Sequence, residues 1–427
     1  MRSPVPDYLR EILDACGDDA GALAGYIPEL ASADPDRLAV CLSTIDGTLY
    51  RAGDTDTEFS IQSISKPFVY ALALAERGLD DVLGWIGVEP SGEAFNELSL
   101  ERESRRPRNP MINAGALTAH ALVGDPEDDV GTRVERVRRL MSDFAGRDLH
   151  VDRSIYESEM SQAYRNLAIA NMLRTYGVIR QEPQDVVRGY TQQCAISVTA
   201  TDLASMAATL AAGGVQPTTG KQVVPAEVAR QVLSVMMTCG MYDAAGDWMT
   251  TVGFPAKSGV SGGILGAMPG QLGLATFSPR LDSHGNSTRG VRICTRMSAD
   301  MGMHIMQAPE PARSTVRRDR TLRGPDGRLA RVCSLQGTLQ FSSAERVLRT
   351  VTDGSPAAVF VLDLRRVASV NDVARRMLTE MLRRLQLDGA EVALLDPDQV
   401  LRLSEEAVVR LPERWSSLAP LEGHERV

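Results

Sequence analysis

The chain of 427 residues is poor in aromatic residues, 5% in all, with three tryptophans. It has five histidines and six cysteines, and neither set recurs at the short spacings that metal sites use. Cys16, Cys41, Cys194, Cys239, Cys294 and Cys333 contain no Cys-x-x-Cys pair, so they read as buried free thiols. His120, His150, His284, His304 and His424 are scattered, which weakens any serine–histidine triad. No apolar run is long enough to span a bilayer, and the amino terminus, Met1-Arg2-Ser3-Pro4-Val5-Pro6-Asp7, has no apolar signal core. A net charge of -9 and a pI near 5.3 argue against a nucleic-acid surface. These absences predict a cytoplasmic protein with no metal, cofactor, nucleic-acid or membrane partner.

What is present is an ordinary globular composition, 43% hydrophobic and 24% charged, long enough for two domains. Asp7 to Ala15 and a second stretch through Tyr26 read as helix, and Leu38 to Ile45, closed by Asp46-Gly47, as a strand entering a hairpin. Amphipathic helices follow over Arg133 to Phe144 and Ala163 to Leu173, with Thr201-Asp202 capping Leu203 to Ala212. Strand-like segments return at Gly273 to Phe277 and Gly290 to Cys294. Strands at both ends with helices between them predict a sheet closed by both termini of the domain.

Composition changes near His304. Pro309, Pro311 and arginines 313, 317, 318, 320, 323, 328 and 331 read as a basic, solvated tether over 304–328. Beyond it, Val332 to Phe341 reads as strand, Ala344 to Val351 as helix and Ala357 to Leu364 as a central strand. Asn371 then caps a helix with Val373, Met377, Met381 and Leu385 on one face, and Glu391 to Leu395 is a last strand. This α/β unit over 329–427 has no Gly-x-Gly-x-x-Gly and is too small for a Rossmann pair.

The chemistry concentrates in Phe59-Ser60-Ile61-Gln62-Ser63-Ile64-Ser65-Lys66. Ser63 and Lys66 lie three apart at a helix start, with Pro67 in the first turn and Ala71, Leu72, Leu74 and Ala75 as a buried face. A serine hydroxyl reacts once something takes its proton, and a buried lysine can do so without histidine. An exposed lysine titrates near about 10.4, so this role needs a depression of roughly three units, about 4 kcal/mol. Burial and a second cation such as Lys257 both push that way. A serine at a helix start is also an ordinary cap, so Ser-x-x-Lys alone carries little weight. Lys257-Ser258-Gly259, in a glycine-dense run, resembles the strand motif that accompanies Ser-x-x-Lys in penicillin-recognising enzymes.

Six segments extend the match: Tyr26-Ile27-Pro28, Gln62 to Pro67, Glu89-Pro90-Ser91-Gly92, Asn109 to Ala116, Cys239-Gly240-Met241-Tyr242-Asp243 and Pro255 to Val260. In this order, from about Tyr26 to Met303, they resemble the serine-dependent glutaminases. The resemblance implies an α+β, β-lactamase-like hydrolase domain over 1–303 that converts L-glutamine to L-glutamate and ammonia through a seryl ester. It implies Ser63 as nucleophile, Lys66 as base, Tyr242 as a second proton-transfer group, the Ser63 and Val260 amides as oxyanion hole, and Lys257 behind the site. Tyr26, Asn113, Glu159, Asn166 and Tyr190 match the positions that hold the amino-acid end of glutamine. The same resemblance implies a homo-oligomer. The tail resembles a STAS domain, a module for a regulatory protein or ligand, with Asp372 where a phosphorylatable serine stands in other members. Two rival readings are a β-lactamase or D-Ala peptidase, which shares both short motifs, and a regulatory binding module with an inactive front domain.

Overall fold

The computed structural model describes residues 3–17, 20–92, 97–307, 315–323, 328–355 and 357–402. It divides into two compact units, Met1–Gln307 and Ala308–Val427.

The first unit is built on a five-stranded antiparallel sheet. Ala39–Thr44 (β1) and Leu49–Gly53 (β2) form the hairpin that Asp46-Gly47 predicts. A small sheet joins Phe59–Ser60 (β3), His150–Val151 (β4) and Ile196–Val198 (β5). The main sheet is completed by Ala256–Ser258 (β6), Gly263–Met268 (β7) and Leu272–Phe277 (β8), in the order β2-β1-β8-β7-β6. Its first and last hairpins therefore meet at β1 and β8, where Ala39 faces Phe277 and Thr44 faces Leu272.

Both faces of this sheet are covered, so its strands carry apolar residues at successive positions. Ala39, Cys41, Leu265 and Ala275 point to the core around helix Ala200–Ala211, while Val40, Leu42, Ile264 and Leu274 point to helices Val5–Cys16 and Thr288–Met301. Gly273 lies where helix Ala200–Ala211 crosses the sheet, and a Cβ there would stand 2.2 Å from Ala208 N. A third cluster, with Leu117, Ile169, Leu173 and Val187, holds the helical lobe together.

Helix Lys66–Arg77 runs through the largest core. Its residues from Lys66 to Leu74 are all buried, and Phe68 meets Phe144 edge-on with ring centroids 5.0 Å apart. Ala75, expected on the buried face, is exposed, and Ala73 is buried instead.

Three local expectations change. Residues 20–27 are not helical: Gly21 has φ +98°, Ala22 bridges Leu281, and the chain bends at Tyr26 and Ile27 before Pro28 opens a four-residue turn of helix. Gly290 to Cys294 belongs to helix Thr288–Met301 and not to a strand, because Ser287 accepts from Gly290 N and Ile293, Cys294 and Met297 share a buried helical face. The cap before Leu203 is Thr199, which forms a capping box with Asp202, while Thr201 sits inside the first turn.

The second unit has a four-stranded mixed sheet in the order β12-β11-β10-β9. The tether reading fails over Val316–Arg323 (β9), which pairs antiparallel with Leu329–Leu339 (β10). Most of its side chains are polar, but Val316 and Leu322 pack on the core and Asp319 anchors it through a two-pronged pair with Arg331. Residues 308–314 and 324–327 of the expected tether, with Arg313, and residues 403–427 of the expected tail lie outside the described residues. Val359–Val370 (β11) runs parallel to β10 and to Glu391–Leu395 (β12), in the middle of the sheet as its apolar run predicts. Asn371 caps helix Asp372–Leu387, whose core face is Ala374, Leu378, Met381 and Leu382. Val373 is half exposed, since the buried stripe lies one position further on.

Thr199→Ala removes the capping box and is expected to cost about 1 kcal/mol of stability in urea unfolding. Thr201→Ala should cost less.

Candidate active site

Ser63 lies in a 3-10 turn, Gln62–Ser65, that feeds directly into helix Lys66–Arg77, with Pro67 in the first turn where its missing N–H costs nothing. Gln62, just before it, has φ +49°, a left-handed conformation that side chains other than glycine adopt rarely. The turn is pinned from outside, since Ile61 N donates to Ile196 O and Ser261 Oγ donates to Ser60 O.

Lys66 is 1% exposed. Its Nζ donates to Met111 O at 3.0 Å and to Asn113 Oδ1 at 2.8 Å. A neutral amine has two N–H donors and one lone pair, and these acceptors match the donors. Burial pulls this amine down to about 8. Lys257, also buried, is pushed well below its ordinary value by burial and then by Lys66. Burial is thus the first cause of the depression at both amines, and the two amines repel one another. Lys257 Nζ donates to Ser258 O at 2.8 Å and stands 3.9 Å from the Tyr242 ring centroid. That placement suits an ammonium, but the cost of burying charge outweighs the attraction of one ring, so we read it as a neutral donor that floors the tyrosine.

Tyr242 also has left-handed backbone, φ +55°. Its hydroxyl donates to Ser258 O at 3.2 Å and is hydrogen bonded to the Ser63 side chain. Burial pushes the phenol up to about 12, and the bonds to Ser63 and Ser258 pull it part of the way back. Ser63, Lys66 and Tyr242 thus share one buried neighbourhood. Among the described residues no backbone acceptor is paired with the Val260 amide, in the turn between β6 and β7.

Ser63 opens onto a cavity of about 250 Å³ that Tyr26, Asn113, Glu159, Asn166, Tyr190 and Val260 also line. All the expected pocket residues except Tyr242, which stands beside it, border this space. Glu159 Oε1 accepts from Tyr26 OH at 2.8 Å and from Gln62 Nε2 at 3.0 Å. Burial raises the Glu159 carboxyl, and those two donors pull it part of the way back. Tyr26 keeps 46% of its surface exposed, yet burial of its hydroxyl and the adjacent Glu159 charge raise it. Asn113 Nδ2 donates to Asn166 Oδ1 at 3.0 Å, and Tyr190 OH reaches Asn113 Oδ1 at 3.5 Å. One carboxylate, several amide and phenol groups and the Val260 amide fit a small zwitterion bearing a polar carbonyl.

Gln62 is absent from the residues expected to bind, although it is the one long polar side chain between Ile61 and Ser63 in a buried run. Behind Ser63, Gln193 Nε2 donates to Ser65 Oγ at 3.0 Å and its Oε1 meets His120 Nδ1 at 2.9 Å. Burial takes His120 down to about 4, so it serves as a neutral strut. Among the described residues, no group of three or more His, Cys, Asp or Glu is placed to hold a metal, and no helix is long and apolar enough to cross a membrane.

A family model described as Glutaminase matches residues 21–306. A glutaminase from Corynebacterium glutamicum is 53% identical over 403 residues, 94% of this chain and 96% of its own length. Another, from Corynebacterium efficiens, is 52% identical over 403 residues, 94% of each chain. Among solved structures, Mglu in its glutamate form superposes with a TM-score of 0.83 at 46% identity, covering 94% of this chain and 100% of that one.

Because Tyr26 and Gln62 both donate to the ionised form of Glu159, Tyr26→Phe and Gln62→Leu are each expected to raise the carboxyl further. Carboxyl carbon chemical shifts followed against pH measure this, and a fall in either variant contradicts it.

Proposed function

The chain belongs to the glutaminase family and hydrolyses the side-chain amide of L-glutamine to L-glutamate and ammonia, and we propose that it does so through a γ-glutamyl ester on Ser63. The observation that carries this reading is the burial of Lys66 between two acceptors, which leaves an amine poised near neutrality one helical turn from a serine hydroxyl. In the proposed first step Ser63 Oγ loses its proton to Lys66 and attacks the substrate carbonyl carbon. The oxyanion so formed lies against the Ser63 and Val260 amides, and losing one such donor typically costs about 3 kcal/mol of barrier. Tyr242, bonded to Ser63, is the group that hands a proton to the departing ammonia. Water then resolves the ester by the same groups in reverse.

The pocket favours glutamine over other amides by matching both ends of a free amino acid. Glu159, steadied by Tyr26 and Gln62, takes the α-ammonium, while Asn166 and the tyrosine hydroxyls, positioned with Asn113, serve the α-carboxylate. A buried carboxylate without its cation is costly, so an amide lacking the α-amino group leaves Glu159 unpaired and binds poorly.

The second unit reads as a STAS-like regulatory module. Its three parallel strands with two helices, and the cap at Asn371, support that reading. Asp372 at the start of helix Asp372–Leu387 is exposed and pairs with Arg375, an arrangement that a fixed carboxylate at a helix N-terminus explains by itself.

Two measurements test the catalytic reading. Ser63→Ala should reduce ammonia release by at least about 10⁴-fold, since removing a nucleophile removes the covalent route. Lys66 must be neutral to accept the proton, so kcat/KM should rise with pH through about 8 and fall about tenfold per unit below it. Full activity in Ser63→Ala, or a flat profile between pH 6 and pH 9, would sink the proposal.

A further inference from the structure

Three polar side chains behind Ser63 take no part in the proposed chemistry. Ser65, Gln193 and His120 are 0%, 0% and 1% exposed, so their hydrogen-bond partners must come from the protein. Gln193 Nε2 donates to Ser65 Oγ at 3.0 Å, which leaves its Oε1 to accept from His120 Nδ1 at 2.9 Å. The neutral imidazole therefore carries its proton on Nδ1. Gly189 makes room for the ring, since a Cβ there would overlap His120 Nε2. Each member of this chain of bonds shares an element with a site residue. Ser65 stands between Ser63 and Lys66 in the sequence. His120 is on helix Asn113–Leu122, whose first residue accepts from Lys66 Nζ. Gln193 is on helix Pro183–Cys194, which lines the pocket through Tyr190, Thr191 and Cys194.

We infer that Gln193, oriented by His120, is a positioning residue for glutamine hydrolysis: it fixes the turn that holds Ser63 and Lys66 against the helices that carry Asn113 and Tyr190. The inference rests on Ser63 and Lys66 acting as nucleophile and base. Their turn needs holding, because Gln62 at its start is in a left-handed conformation that the local chain does not favour. Ser261 Oγ grips the entering side through Ser60 O, and Gln193 grips the leaving side, between nucleophile and base. A primary amide suits the task, since it offers a donor and an acceptor in one fixed plane, and the His120 N–H settles which way round that plane lies. Ser63 Oγ must meet both its base and the substrate carbonyl, and a misplacement of about 1 Å costs on the order of 100-fold in rate. Glu159, which receives the α-ammonium, is held by Tyr26 and Gln62 and not by Gln193, so loss of the brace is read in kcat before it is read in binding.

The test measures kcat and KM for glutamine, and Kd for glutamate, in full-length Gln193→Met, Gln193→Glu and Ser65→Ala. Gln193→Met has a similar volume but neither donates to Ser65 nor accepts from His120, so kcat is expected to fall about 10- to 100-fold with KM and Kd within about twofold of wild type. Gln193→Glu still accepts from His120 and from the Ser65 hydroxyl, and is expected to hold kcat within about threefold. Ser65→Ala is a smaller change that reads the same contact from its other end, should Gln193→Met not fold, with kcat down by roughly tenfold. An unchanged kcat per folded molecule in Gln193→Met or Ser65→Ala overturns the inference, and so does a loss confined to KM. Equal losses in Gln193→Met and Gln193→Glu overturn it as well, since the conservative change keeps both contacts. Ser63→Ala is assayed beside them. If it keeps full activity, the nucleophile reading falls and takes the inference with it, whereas an inactive Ser63→Ala with an unimpaired Gln193→Met strikes the inference alone.

Discussion

The structure depends on keeping one lysine out of water. The Nζ of Lys66 is held by a main-chain carbonyl and an asparagine oxygen, acceptors that satisfy an amine without stabilising a full charge strongly. Everything around it serves that exclusion. The helix that carries it is apolar on every side for its first two turns, and the sheet, the helical lobe and helix Ala226–Cys239 close over it. A carboxylate within reach would restore the charge and remove the base.

The same dryness sets the terms for the other groups. Burial disfavours the Glu159 anion, and two donors on a single oxygen favour it. Tyr242 is pushed up and Lys257 down by the same lack of solvent, which leaves a nearly neutral set of proton carriers around Ser63. Reactivity then comes from small differences among neutral groups and not from a strong ion pair. This arrangement also explains the strained backbone at Gln62 and Tyr242. The hydroxyls of Ser63 and Tyr242 come together from different segments, and a left-handed residue at or just before each turns the chain sharply there.

Much of the site was legible because its residues sit in short, rigid contexts. Ser63, Lys66 and Pro67 declare a helix start, and Lys257-Ser258-Gly259 declares an edge strand with a tight turn. What could not be read was whatever depends on main-chain atoms or on tertiary choice. The Met111 and Ser258 carbonyls carry no side-chain signal. Gly290 to Cys294 has an alternation that suits a strand, and the Ser287 cap together with Met297 decides for helix only once the sheet offers a face to cover. The charged stretch at Val316–Arg323 reads as solvent-loving, yet its backbone pairs with β10 while Val316 and Leu322 pack on the core. Gln62 binds Glu159 through a side chain that only its left-handed backbone aims there, and no sequence pattern marks that conformation.

The pairing of β1 with β8 joins segments more than 200 residues apart in the chain. Loop closure over that distance is slow, because entropy is lost before contacts repay it. Ser63 is synthesised early, but the strand that fixes Tyr242 through the Ser258 carbonyl and the turn that carries Val260 come close to the end of the first unit. A growing polypeptide on the ribosome therefore holds the reactive serine long before it holds anything able to use it, and glutamine in the cell is safe from half-made enzyme.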